Sequence, residues 1–222
     1  MSDSARDVAG KGVPEKGVPQ QGVAETFAEI YRSAAWGGGS GPGSDPYFSI
    51  DYRAFLEKFM RMNSVRSVVD FGCGDGQFSR FLDLTGIAYL GLDVVGEVIA
   101  QNRRLYAREG VAFEQVQPGD YRIPSADLLV VKDVLQHLPD AEIARFAREM
   151  LPRFRYALVS NSFAKVATGR NHDIAPGEFR TLDLTAPPYN WRGAYVLEFS
   201  GREWEHIRTL LVSGVAEPAT SE

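Results

Sequence analysis

The chain has 222 residues, 44% of them hydrophobic, which is enough for one α/β domain with a full core and short for two. With 24 Lys and Arg against 29 Asp and Glu, the net charge of −5 gives no overall positive field to hold a polyanion, so a nucleic-acid partner is disfavoured. The lone cysteine, Cys73, has no partner for an intrachain disulfide. No signal peptide and no apolar run of the ~18 residues that a membrane span requires is recognisable, which leads to the expectation of a cytoplasmic protein without membrane attachment.

Residues 1–23 carry an imperfect repeat, Lys11-Gly12-Val13-Pro14, Lys16-Gly17-Val18-Pro19 and Gln21-Gly22-Val23, with no apolar periodicity. Such sequence buries too little surface to offset its ordering entropy and predicts a disordered tail. From Ala24 to Ala34, Phe27, Ile30 and Tyr31 recur at helical spacing, and the helix is expected to stop at the glycine-rich run from Trp36 to Ser44. A second helix, capped by Ser49 or Asp51, places Tyr52, Phe55, Leu56, Phe59 and Met60 on one face.

Short apolar runs then alternate with helical ones, the signature of parallel strands joined by crossover helices. Strands are expected over 67–71, 88–92, 111–116, 126–132 and 156–160, with helices over 77–85, 96–109 and 140–150. Two further strands, 195–199 and 206–212, are separated by a short connection and predict an antiparallel hairpin at the sheet edge. The pattern amounts to an α/β, mostly parallel seven-stranded sheet in a single domain over 24–212, with a lid insertion at about 162–193 and a second disordered tail over 213–222.

The first strand runs into Asp70-Phe71-Gly72-Cys73-Gly74-Asp75-Gly76, where glycines let the backbone turn sharply and approach a ligand. Asp93 ends the second strand 19 residues beyond Gly74, where a carboxylate can accept both hydroxyl hydrogens of a ribose. The dinucleotide fingerprint G-x-G-x-x-G is not met, because the third glycine comes one residue early and Gln77 holds the other position. A nicotinamide oxidoreductase is weakened by that mismatch.

The segment is similar to motif I of class I S-adenosylmethionine (SAM)-dependent methyltransferases, with their Rossmann-like fold. The resemblance continues through Asp93, Gly119-Asp120-Tyr121 and the run Asp127 to Leu138. It implies SAM as cofactor, Asp70 or its backbone at the methionine amino group, Asp93 on the ribose and Asp120 on the adenine amine. Gly72, Gly74, Trp36 and Lys132 complete the cofactor-binding set that it suggests.

A narrower resemblance rests on Trp36 to Ser44 and on Asn171-His172-Asp173-Ile174-Ala175-Pro176-Gly177-Glu178-Phe179-Arg180-Thr181-Leu182-Asp183-Leu184-Thr185-Ala186-Pro187-Pro188-Tyr189. These segments look like a bacterial group of class I methyltransferases, some of which resemble sugar O-methyltransferases of polysaccharide biosynthesis, methylmannoside enzymes included. The group more often has proline at the place of Gly72 and tryptophan at that of Phe179. The resemblance implies a small-molecule or oligosaccharide acceptor. A segment of nearly 30 residues is too long for a mere connection, so it is expected over the acceptor site.

Methylating a hydroxyl needs a group to take its proton, and the chain has three histidines. His137 follows the fourth strand at the carboxyl end of the sheet and is the first candidate for general base. His172, in the late segment, is the second, while His206 sits inside a strand pattern and reads as structural. Asp133, Asp173, Arg180 and Tyr189 are candidate substrate contacts, and Asp133, His137 and Asp173 are also the residue types that hold Mg²⁺. The alternatives that stand beside a sugar acceptor are an N- or O-methyltransferase of a non-sugar small molecule and a non-catalytic cofactor-binding protein. A homodimer is compatible with the sequence, which leaves the oligomeric state open.

Overall fold

The structure is a computed structural model that describes residues 20–164, 170–201 and 205–213. Most of both expected tails, 1–19 and 214–222, therefore lies outside the described residues. Two helices come first, α1 (Gln20–Arg32) and α2 (Ile50–Met62). The alternating part follows as β1 (Ser67–Phe71), β2 (Ala88–Asp93), α3 (Gly96–Tyr106), β3 (Val111–Gln115), β4 (Ala126–Lys132), α4 (Asp140–Glu149) and β5 (Phe154–Ser162). The chain closes with β6 (Ala194–Ser200) and β7 (His206–Ser213).

The strands form one seven-stranded sheet in the order β3-β2-β1-β4-β5-β7-β6. β1 to β5 pair in parallel, whereas β7 runs antiparallel to both β5 and β6. The order reverses between β1 and β4, and in an open parallel sheet a ligand site forms outside the carboxyl ends of the strands at that switch point.

Both faces of the sheet are covered, which is why the central strands are apolar at successive positions. Val68, Leu128, Val130 and Leu158 point to one side, where α2 places Tyr52, Leu56 and Met60 at four-residue spacing. Val69, Leu129, Val131 and Val159 point to the other, against Ile143, Phe146 and Met150 at the end of α4. Each such side chain removed from water contributes about 1.5–3 kcal/mol. Among the described residues no helix is long and apolar enough to cross a membrane.

Two elements differ from the expectation. α1 begins at Gln20, so residues 20–23 are helical and not part of a tail. The helix expected over 77–85 is absent, and only a single 3-10 turn forms at Ser79–Phe81. Leu82 and Leu84 are both buried, a spacing of two that a helix cannot present to one core. Asp83 then ends the turn by accepting the Thr85 amide at 3.1 Å and pairing with Arg61 at 2.6 Å.

Candidate active site

A cavity of about 370 Å³ opens over the carboxyl ends of β1, β2 and β4. Its floor is the glycine turn. Gly72, Gly74 and Gly76 have φ of 76°, 55° and 72°, all in the left-handed region that side chains disfavour. A Cβ on Gly72 would stand 2.3 Å from Val134 Cγ2, so the close approach also requires glycine. The amides of Gly72 and Cys73 donate to the Leu92 carbonyl, at 2.8 and 2.9 Å, and tie the turn to β2.

Asp93 accepts the Gly74 amide through Oδ2 and the Val95 amide through Oδ1, each at 3.0 Å. Every carboxylate oxygen has a second acceptor site, so both remain able to accept a hydroxyl hydrogen. Burial pushes the Asp93 pKa up, and the two backbone amides oppose that shift. Asn102, which the sequence reading missed, donates to the Gly74 carbonyl at 2.7 Å from α3 and braces the turn from below. Cys73 is buried, and burial pushes its thiol pKa up, so it is no nucleophile.

The structure divides the expected cofactor set. Trp36, Gly72, Gly74, Asp93 and Lys132 line the cavity, whereas Asp70 and Asp120 do not. Asp70 is buried beneath the turn and accepts the Tyr89 hydroxyl at 2.6 Å. Burial pushes its pKa up to about 7, against the Tyr89 hydrogen bond and the Lys132 charge that lower it. Asp120 turns to Arg122, whose Nε lies 3.0 Å from it, and only its neighbours Pro118 and Gly119 reach the cavity wall. The Lys132 ammonium is committed to the Gly43 carbonyl at 2.7 Å and to Asp133.

His137 is buried at the cavity wall. Its Nδ1 lies 2.9 Å from the Glu178 carbonyl oxygen. A carbonyl only accepts, so Nδ1 carries the hydrogen and Nε2 keeps a free lone pair. Burial lowers the His137 pKa, while Glu178 and the Asp133 charge raise it by less. Trp36 covers the imidazole, with ring centroids 5.0 Å apart, and Phe179 stands 5.9 Å away on the late segment.

The other expected acceptor contacts hold the late segment in place. His172 is exposed and does not line the cavity; its carbonyl accepts from Arg180. Arg180 is 1% exposed and also donates to Asp140 at 2.7 Å and to the Leu138 carbonyl. Tyr189 donates to the same Asp140 oxygen at 2.6 Å. Neither Arg180 nor Tyr189 reaches the cavity, because α4 claims both through Asp140.

Asp133 and Asp173 do line it. Asp133 has φ of 58° and pairs with Lys132, and Asp173 accepts the amides of Asp140 and Ile174. With those engagements Asp133, His137 and Asp173 do not assemble into the Mg²⁺ site that their residue types suggested. Among the described residues no group of three or more His, Cys, Asp or Glu side chains is disposed to hold a metal ion.

Much of the roof comes from Val23, Phe27 and Tyr31 of α1, which no motif singled out, and from the two marker segments, through Ser40 and Ser44 of the glycine-rich loop and Ile174 to Pro176 of the late one. The volume is that of a small-molecule site, about 300–1,000 Å³. The blocked glycine positions and the twice-bonded Asp93 fit the two ends of S-adenosylmethionine. Gly72 and Gly74 would receive its methionine half and Asp93 its ribose.

Comparison with known proteins agrees with this geometry. Residues 69–156 match the model of a methyltransferase domain. No curated protein matches the sequence. Among solved structures, the chain is similar to magnesium protoporphyrin IX methyltransferase from Synechocystis PCC 6803 with bound SAM, at 15% identity and a TM-score of 0.59 over 89% of this chain and 98% of that one. It is similar to a SAM-dependent methyltransferase from Anabaena variabilis ATCC 29413, at 13% identity and a TM-score of 0.58 over 86% and 94%. It also resembles TehB from Haemophilus influenzae, at 17% identity and a TM-score of 0.54, covering 76% of this chain and 66% of that one. At these identities the structures establish the fold, and the domain match over residues 69–156 supplies the activity, that of an S-adenosylmethionine-dependent methyltransferase domain.

Proposed function

We propose that the chain O-methylates a hydroxyl of a sugar or oligosaccharide, with His137 as general base. The observation that carries the reading is the 2.9 Å contact between His137 Nδ1 and the Glu178 carbonyl, which leaves Nε2 as the proton acceptor at the cavity wall. S-adenosylmethionine, when bound, supplies an electrophilic methyl group on a sulfonium. The residues of this chain do the rest. The glycine turn and Asp93 hold the cofactor, and Trp36 with the late segment excludes water. His137 takes the proton that the acceptor hydroxyl loses, and a positioned base of this kind contributes about 10²–10⁴-fold.

Support for a saccharide comes from two features. Trp36 lines the cavity over the imidazole, and an aromatic face there suits the C–H face of a sugar ring. Among the described residues, the cavity is lined by Asp93, Asp133, Glu142 and Asp173 against one cation, Lys132, that is already paired. That balance favours an uncharged acceptor over a phosphorylated or carboxylated one. In this reading Asp173 to Pro176 of the late segment form the acceptor wall of a single catalytic domain.

The test is the His137→Ala protein, assayed with radiolabelled cofactor on methylmannosides and short mannose oligosaccharides. The expected result is a kcat lower by about 10²-fold or more, with unchanged calorimetric affinity for S-adenosylhomocysteine. In the unsubstituted protein the active form is the unprotonated ring. Because burial lowers its pKa, activity should fall on the acid side with a midpoint below the ordinary 6.5. A variant with wild-type turnover, or an acid limb above 6.5, would overturn the role of His137.

A further inference from the structure

We propose that Ser40 is a positioning residue that fastens the N-terminal strap, α1 and the glycine-rich loop, to the glycine turn, so that capture of the cofactor and covering of His137 are one event. The inference rests on the methyltransferase reading of the site. A serine hydroxyl has one hydrogen to give and two lone pairs to offer. Here all three are used. The Ser40 Oγ accepts the Asp75 amide at 2.8 Å, donates to Asp75 Oδ1 at 2.8 Å and meets the Tyr31 hydroxyl, which donates, at 2.9 Å. Burial pushes the Tyr31 pKa up, so that hydroxyl keeps its hydrogen.

The two surfaces are shaped for this contact. A Cβ on Gly74 would stand 2.0 Å from Ser40 Oγ, and one on Gly39 would stand 2.2 Å from Asp75 Oδ2. Glycine on both sides lets the loop lie directly on the turn. Ser40 sits between Trp36, which covers His137, and Gly43, whose carbonyl holds Lys132. Releasing it therefore frees the stretch that carries Trp36. Ser40 lies inside the Trp36 to Ser44 run, but its partner Asp75 is 35 residues away, so nothing local in the sequence sets it apart from its neighbours.

The experiment uses the full chain and its Ser40→Ala variant, with Tyr31→Phe as a milder second variant that removes one of the three bonds. Hydrogen–deuterium exchange of the peptides over 22–44, without cofactor, should be faster in Ser40→Ala and intermediate in Tyr31→Phe. Calorimetry with S-adenosylhomocysteine should show affinity weakened by about tenfold, the loss expected for about one to two net hydrogen bonds. The circular-dichroism melting temperature should stay close to wild type, which separates loss of the strap from loss of the core. Wild-type exchange over 22–44 in Ser40→Ala, or faster exchange with unchanged affinity, overturns the proposal. Absence of any binding heat in the unsubstituted protein sinks instead the methyltransferase reading, and the proposal with it.

Discussion

Replacing Asp70 by Asn should stabilise the protein in proportion to pH. Asp70 is 1% exposed under the glycine turn, with Tyr89 donating to it at 2.6 Å. Its pKa is pushed from the ordinary 3.8 up to about 7, chiefly by burial. A carboxyl whose folded pKa is raised has an ionised form that the fold tolerates poorly. Folding stability is therefore lost as pH rises from about 4, where the unfolded chain begins to release its proton, to about 7, where the folded one follows. Asparagine accepts the same hydroxyl and has no proton to release. Between pH 5 and pH 8 the advantage of Asp70→Asn over wild type should widen by about 2.5 kcal/mol, the difference between ionising at 3.8 and at about 7 over that window. Urea denaturation of both proteins at pH 5, 6.5 and 8, followed by circular dichroism, measures it. Parallel stability curves, differing by less than about 0.5 kcal/mol across the range, would show that the carboxyl is ionised at little cost and refute the reasoning.

Two further substitutions test the framework of the site. Arg180→Met strands the Leu138 and His172 carbonyls and leaves Asp140, which is 30% exposed, with Tyr189, so it should cost about 2–3 kcal/mol in urea denaturation; a loss under 1 kcal/mol would mean that the late segment is held by other contacts. Gly72→Ala places a Cβ 2.3 Å from Val134 at a φ of 76° and should lower stability by about 1–3 kcal/mol and weaken S-adenosylhomocysteine binding. Adding Val134→Ala should restore part of both, whereas no recovery in the double variant would show that the backbone angle alone is responsible.

The parts legible in the sequence are those whose partners lie nearby along the chain. β1, the glycine turn and Asp93 follow one another within 27 residues, from Ser67 to Asp93, and the turn geometry is dictated by residue type at Gly72, Gly74 and Gly76. Short apolar runs alternating with helical ones gave the sheet, and Val68 and Val69 are both apolar because they enter cores on its two faces. Reading 77–85 as a helix failed because Leu82 and Leu84 answer to the core at strand spacing while Asp83 closes a turn. Arg180 and Tyr189 look like ligand contacts in a loop rich in polar and aromatic residues, yet their partner Asp140 stands 40 and 49 residues back. Asp120 was taken by its neighbour Arg122. Ser40 lies in the Trp36 to Ser44 run, but nothing sets it apart from its neighbours there until the fold brings Asp75 beneath it.

The matched domain ends at residue 156, and Val23, Phe27, Trp36 and Ile174 to Pro176 all lie beyond its limits. The match therefore covers the glycine turn and Asp93, while much of the cavity roof is supplied by flanking sequence outside it. Exchanging only those flanks between two such chains, and assaying each product on both acceptors, would separate the part that grips the donor from the part that meets the acceptor.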